Sequence, residues 1–162
     1  MYEIILLLGS NMGCREDYLN SALKRLSAIS ETTPVCSSLY ESEPWGFDTE
    51  TWFLNMAVKI NSTLTPIDLL QDIMKIEKEL GRVRNQSSEG YDSRVIDIDI
   101  IYYDSLQINT DFLIIPHPKM HQRRFVLMPV AEICPGFIHP QLNKTSIELL
   151  QECEDKSIVI IK

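Results

Sequence analysis

The residues best equipped for chemistry lie in the segment "SRVIDIDIIYYD". Asp97 and Asp99 stand two apart in a run that otherwise reads as a β-strand. Positions i and i+2 of a strand share a face, so the two carboxylates form a pair. Val95 and Ile101 extend their face, while Ile96, Ile98 and Ile100 point the other way and read as core. Neighbouring ionised carboxylates repel unless a cation or bound charge compensates. Hard oxygen donors suit magnesium, which takes one or two carboxylates together with water and substrate phosphates. A solvated face that happens to carry two acids is the alternative, because surface carboxylates far outnumber metal ligands.

Five of the chain's seven arginines flank this pair in sequence: Arg82, Arg84, Arg94, Arg123 and Arg124. Guanidinium groups fork onto phosphate oxygens and stay charged when partly buried. Surface salt bridges are the plainer reading, and it suits Arg124 better than Arg82 or Arg94. His117 stands between Pro116 and Pro118, which fix the backbone and aim the ring. It could donate to a phosphate oxygen or simply hold a turn. Phe53 and Asn55 share a strand face, and Phe125 follows the arginine pair. Rings stack on flat heterocycles and an amide can pair with a ring's donor–acceptor edge, although core packing accounts for most aromatics. "GSN" at residues 9–11 is a turn with a ligand-facing edge, since neither phosphate-loop pattern is present.

The elements that must position these groups follow from periodicity. "YEIILLL" is a buried strand ending at Gly9. From Arg15 to about Ser30, Leu19, Ala22, Leu23, Leu26 and Ile29 recur at helical spacing. "VCSSLYE" reads as a strand and "EPWGFDTETW" as a loop. In "WFLNMAVKI", Leu54, Met56, Val58 and Ile60 form one face and Phe53, Asn55, Ala57 and Lys59 the other. Thr65 caps the next helix with Pro66 at its first position and Asp68 on its dipole. Ile67, Leu70, Ile73, Met74 and Leu80 are its expected buried stripe, and Gly81 its stop. Helices are expected near residues 121–133 and 145–153, then a strand in "SIVIIK". The order predicts an α+β fold with a βαββαβ core, a largely antiparallel sheet with helices packed on one face. Two βαβ crossovers would also suit a parallel sheet. The strand pair near residues 35–60, with no helix between, favours the ferredoxin-like layout.

A length of 162 residues suits one domain, taken as residues 1–162. The formal net charge of −8 argues against nucleic acid, which rewards positive surface. Four cysteines show no metal spacing, and a chain of this size needs no disulfide staples, which suits a reducing compartment. The apolar start lacks a basic n-region and is too short for a membrane span, so a cytoplasmic protein is expected.

Taken in order, "LLLGSN", "YESEPWG", "FLNMAV", "IEKELGRVR", "SRVIDIDIIYYD" and "PHPKMHQRRFVLMPVAEI" resemble the 6-hydroxymethyl-7,8-dihydropterin pyrophosphokinases of folate biosynthesis, from residue 4 to about 140. The resemblance implies a ferredoxin-like monomer that moves the β,γ-pyrophosphoryl group of ATP to the pterin hydroxymethyl oxygen, leaving AMP. It implies two magnesium ions bridging Asp97, Asp99 and the triphosphate. Arg82 and Arg94 would stabilise the transferring group. Arg84, His117 and Arg123 would hold ATP phosphates, with Glu77 and Ile100 beside the nucleotide. Phe53 and Phe125 would sandwich the pterin, Asn55 would pair with its edge, and the backbone near Ser42, Pro44 and Trp45 would close on it from the loop. Phe53 replaces a tyrosine and Tyr91 a tryptophan of some relatives, and Phe112 and Pro118 differ from nucleotide contacts of others. A non-catalytic ligand-binding module of the same shape would not need two strand aspartates facing five arginines. A magnesium phosphohydrolase would need a water-activating base, and none is evident. The loop 82–93 is polar and short of apolar anchors, so it is expected to order only around bound ligands.

Overall fold

The computed structural model describes residues 1–44, 50–83 and 94–162. β1 (Tyr2–Ser10) leads into α1 (Arg15–Ser27), followed by β2 (Val35–Cys36), β3 (Tyr40–Ser42) and β4 (Phe53–Ser62). Next come α2 (Pro66–Glu79) and β5 (Asp97–Tyr103). The remainder comprises β6 (Ile108–Asn109), β7 (Ile114–Ile115), a 3₁₀ turn (Met120–Gln122), α3 (Arg124–Ile133), α4 (Ser146–Glu152) and β8 (Val159–Ile161).

The main sheet runs β5–β1–β4–β3–β8, with β2 also on β4. Each of its pairings is antiparallel. This is the ferredoxin-like arrangement the element order predicts, and the parallel alternative falls away. The expected faces of β4 also hold. Leu54, Met56, Val58 and Ile60 join Ile4, Leu6 and Leu8 in a core closed by Leu19 and Leu26 of α1 and Leu69 and Ile73 of α2. The opposite face is covered as well. There Ile5, Leu7, Ala57, Ile101 and Tyr102 pack against Val126, Leu127 and Val130 of α3 and Leu149 of α4. The sheet is therefore buried on both faces at its centre, and α3 and α4 extend the expected one-sided layout.

Local departures have local causes. "VCSSLYE" breaks into β2 and β3 because Ser37 Oγ takes the Ala57 N–H at 2.9 Å, a bond a ladder carbonyl would otherwise make. Glu132 of α3 then accepts from Ser38 N at 2.8 Å and from the Tyr40 hydroxyl at 2.6 Å, which fixes the break. The buried stripe of α2 is Leu69, Ile73, Ile76 and Glu77, whereas Ile67 and Met74 are 40% and 43% exposed. The helix is rotated from the expected face so that Glu77 reaches β5. On β5, Ile5 faces Tyr102 and Leu6 faces Ile100, so Ile101 is an extra residue. This bulge turns both Ile101 and Tyr102 toward α3. Val95 precedes the strand and packs on the α1–α2 side, not on the face of the aspartates. β1 continues through Gly9 and Ser10, so the expected turn begins only at Asn11. Apart from Arg82 and Val83, the loop 82–93 lies outside the described residues.

The α2 cap is as its sequence implies: Thr65 Oγ1 accepts from Asp68 N at 3.2 Å, with Pro66 behind it. Gly81 follows the helix with φ of 99°, a left-handed conformation that suits glycine at a helix stop. Thr65→Ala is expected to cost about 1 kcal/mol. Urea denaturation followed by circular dichroism should show a lower midpoint with unchanged slope.

Candidate active site

The face of the sheet that carries the aspartates is built from strand register. Gly9 lies between Asp97 on β5 and Asn55 on β4, and Leu7 lies between Asp99 and Ala57. Ser42 pairs with Phe53 in the next row. A Cβ on Gly9 would stand 3.2 Å from Asn55 Oδ1, so the absent side chain leaves a gap between the amide and Asp97. A cleft of about 510 Å³ opens above, lined by Gly9, Ser42, Phe53, Asn55, Arg123 and Phe125, with Arg94, Asp97 and Asp99 at one side. Asn55 Nδ2 donates to Ser42 Oγ at 2.8 Å, which fixes the amide's orientation.

A second cleft of about 950 Å³ opens on the other side of the same three charged residues. Leu70, Ile73, Ile98, Ile100 and Leu113 give it an apolar wall, and Glu77, Arg82 and His117 a polar one. Arg94, Asp97 and Asp99 thus form a partition that belongs to both clefts.

The charges at the partition are interlocked. Arg82 Nη1 lies 2.6 Å from Asp97 Oδ1 and 2.5 Å from Glu77 Oε1, while Arg94 Nη1 pairs with Asp97 Oδ2. Glu77 is buried, and its Oε1 also accepts from Ile98 N at 2.9 Å, so it pins α2 to β5. Glu77 is thus a buried acid of α2 and not one on its solvent face. Burial opposes charge on Arg82, but Asp97 and Glu77 outweigh it and raise its pKa. Asp99 is pushed up to about 8, first by burial and then by the charge of Asp97 beside it. A hard cation would relieve both costs. Two strand carboxylates on one face are a donor set that fits magnesium, with remaining positions left for phosphate oxygens and water. Among the described residues no cluster of three acidic, histidine or cysteine side chains offers a metal an all-protein cage.

Arg94 owes its position to "GSN". Asn11 Oδ1 accepts from Arg94 N at 2.6 Å, and Asn11 N donates to Arg94 O at 3.0 Å. The buried Asn11 thus ties the end of β1 to the start of the aspartate segment, a role its sequence context did not reveal. The only signal was a strand running straight into an Asn. His117 Nδ1 accepts from Lys119 N at 3.2 Å, so in the neutral ring Nε2 carries the proton and faces other partners. Burial lowers its pKa, which favours that neutral form. Arg123 is buried, with its guanidinium 5.9 Å from the centre of the Phe125 ring, and burial lowers its pKa to about 10. It lines the smaller cleft, not the larger. Pro44 is half-buried just after Ser42, and Glu43 between them lines the smaller cleft. Arg84, Trp45 and Tyr91 lie outside the described residues. Phe112 and Pro118 both line the larger cleft.

Residues 5–135 match the family model of 7,8-dihydro-6-hydroxymethylpterin-pyrophosphokinase. The chain belongs to this family. It is 44% identical over 146 residues to the 2-amino-4-hydroxy-6-hydroxymethyldihydropteridine pyrophosphokinase of Bacillus subtilis, covering 90% of this chain and 84% of that protein. The Aquifex aeolicus enzyme of the same name is 39% identical over 152 residues, covering 94% and 92%. A crystal structure of Plasmodium falciparum HPPK-DHPS with pteroate superposes with a TM-score of 0.72 at 16% identity. It covers 93% of this chain but only 42% of that longer protein, so the likeness concerns the fold alone. As a pyrophosphokinase, this chain has the fold that the resemblance of its motifs implied.

The raised pKa of Asp99 has a consequence for stability without metal. The folded carboxyl keeps its proton to about pH 8, against a reference value of 3.8. Between those values the native state holds more protons than the unfolded state, so this group makes stability fall as pH rises. In EDTA, Asp99→Asn is expected to remove that decline. Its denaturation midpoint should overtake the parent's as pH rises from about 4 to about 8, in paired denaturation series.

Proposed function

We propose that the chain transfers the pyrophosphoryl group of ATP to the hydroxymethyl oxygen of 6-hydroxymethyl-7,8-dihydropterin, with the pterin in the smaller cleft and ATP in the larger. The carrying observation is the shared partition: Arg94, Asp97 and Asp99 border both clefts, so two bound substrates would meet there. The pterin oxygen attacks the β-phosphorus and loses its proton. The bond from that phosphorus to the bridging oxygen of the α-phosphate breaks, and AMP departs. Holding both reactants in line is the larger part of such catalysis.

Phe53 and Phe125 sandwich the pterin ring and Asn55 reads its edge, with Ser42 holding the amide and the backbone of Pro44 and Trp45 closing the loop side. Glu77 and Ile100 border the nucleotide, Arg84 and His117 take its phosphates, and Arg123 reaches the phosphates from the smaller cleft where the two clefts meet. Two magnesium ions held by Asp97 and Asp99 would, when bound, neutralise the triphosphate. Arg82 and Arg94, which pair with Asp97 in the absence of ligands, then turn their donors to the charge that develops on the transferring group. Residues 1–162 act on this reading as a single monomeric, cytoplasmic domain with these small molecules, and not nucleic acid or membrane, as partners. A net charge of −8 and four free cysteines support that setting. Among the described residues no helix is long and apolar enough to cross a membrane.

Incubation with ATP, magnesium and the reduced pterin should yield AMP without free phosphate. Asp97→Ala is expected to abolish transfer in a folded protein, and near-parent activity at saturating magnesium would remove the metal assignment. Arg94→Ala should slow single-turnover transfer on the order of a hundredfold while changing ATP binding little, because its contact is strongest in the transition state. A normal single-turnover rate with weakened ATP binding would make Arg94 a ground-state ligand.

A further inference from the structure

Arg15, the first residue of α1, is half-buried and lines neither cleft. Its Nη1 donates to the Trp52 carbonyl at 2.8 Å, and its Nη2 to Glu41 Oε1 at 2.6 Å. One acceptor lies on β3 and the other just before β4, at one end of their pairing. Glu41 is next to Ser42 on β3, and Trp52 immediately precedes Phe53 on β4. The β1–β4 ladder ends at the pair Ser10–Leu54, and the β3–β4 ladder at Ser42–Phe53. The Trp52 carbonyl therefore lies beyond the last register pair of both ladders. The Arg15 fork joins β3 and β4 where their own hydrogen bonding stops.

We propose that Arg15 is a positioning residue for the pterin cleft, acting through Glu41 and Trp52 to hold Ser42 and Phe53 in place. The inference rests on the pterin occupying the smaller cleft. Glu41 faces the α1–α2 side, as its register partner Leu54 does, whereas Ser42 and Phe53 face the cleft. The guanidinium thus grips the sheet from behind. Two cleft contacts depend on what it grips. Phe53 presents one ring wall, and Ser42 Oγ orients the Asn55 amide through the 2.8 Å bond from Nδ2. The larger cleft is lined from α2, Arg82, Arg94, β5 and residues 110–118, and the two acceptors of Arg15 belong to none of these. A stacked and edge-paired ligand is sensitive to small displacements of its ring wall and amide, so loosening this junction affects one substrate and not the other.

The fork matters as well as the charge. A lysine at position 15 can meet the Glu41 carboxylate but cannot reproduce two donors in a fixed plane. Arg15→Ala and Arg15→Lys should be compared with the parent in steady-state transfer and in fluorescence titration with 6-hydroxymethylpterin beside α,β-methylene-ATP and magnesium. Arg15→Ala is expected to raise the KM for pterin and the pterin Kd about tenfold, the loss of one charge-assisted hydrogen bond. The KM for ATP and kcat at saturation should stay within about twofold, because the transition-state contacts are untouched. Arg15→Lys should fall between, and it remains informative if the alanine variant folds poorly. An unchanged pterin KM, or equal rises for ATP and pterin, in a folded variant would overturn the positioning role. A parent protein that neither binds the pterin nor forms AMP would instead overturn the functional reading, leaving the two failures distinguishable.

Discussion

Placing two carboxylates two residues apart on the end strand of the main sheet is the constraint to which the rest of this structure answers. The two-residue period of β5 puts Asp97 and Asp99 on one face, where each opposes the other's charge. A fold cannot leave such a half-buried pair without compensation, since each uncompensated charge taken from water carries a desolvation cost. Arg82 and Arg94 provide it for Asp97, Glu77 holds Arg82 in place, and the three come from two places in the chain. The end of α2 brings Glu77 and Arg82, and the segment before β5 brings Arg94. Asp99 is left with its charge suppressed. One carboxylate is thus paired with two guanidinium groups, and the other is biased toward its neutral form.

This constraint explains why α2 faces as it does. Judged by hydrophobicity, Ile67 and Met74 belonged on its buried side. Burial of Glu77 was preferred, because one carboxylate oxygen can serve the Ile98 N–H of β5 and the Arg82 guanidinium together. A buried acid with two partners is acceptable where an unpaired one is not. The cost is the exposure of two apolar side chains, each of which is a small loss when scattered on a surface.

The sequence made the aspartate pair legible because strand period acts on the residues themselves and needs no knowledge of partners. The same holds for the faces of β4 and for the Thr65 cap. What stayed hidden depends on contacts made far along the chain. Ser37 breaks a strand by taking the Ala57 N–H, and nothing in "VCSSLYE" shows that a hydroxyl will replace a carbonyl there. The bulge at Ile101 turns two successive side chains to one face, a shift that an apolar run such as "IDIIYY" conceals. Arg123 gives no sign in the sequence of its burial beside Phe125 at the smaller cleft. Asn11 looked like one residue of a turn, because its partner Arg94 is separated from it by the whole of the intervening core.

Register also explains how one sheet serves two clefts. β5 is the end strand of the main sheet, so its aspartates can be approached from the β1–β4 side and from the α2 side. Gly9 on the neighbouring strand leaves the near approach open: a side chain there would meet Asn55 and fill the space beside Asp97. The bulge then ends the open stretch, because past Ile100 the strand turns Ile101 and Tyr102 against α3 and the face becomes core. Only the first residues of β5 are thus both charged and reachable. A reaction that joins two substrates needs such a place, and an end strand beginning in the cleft and finishing in the core provides it while the rest of the sheet keeps the site rigid.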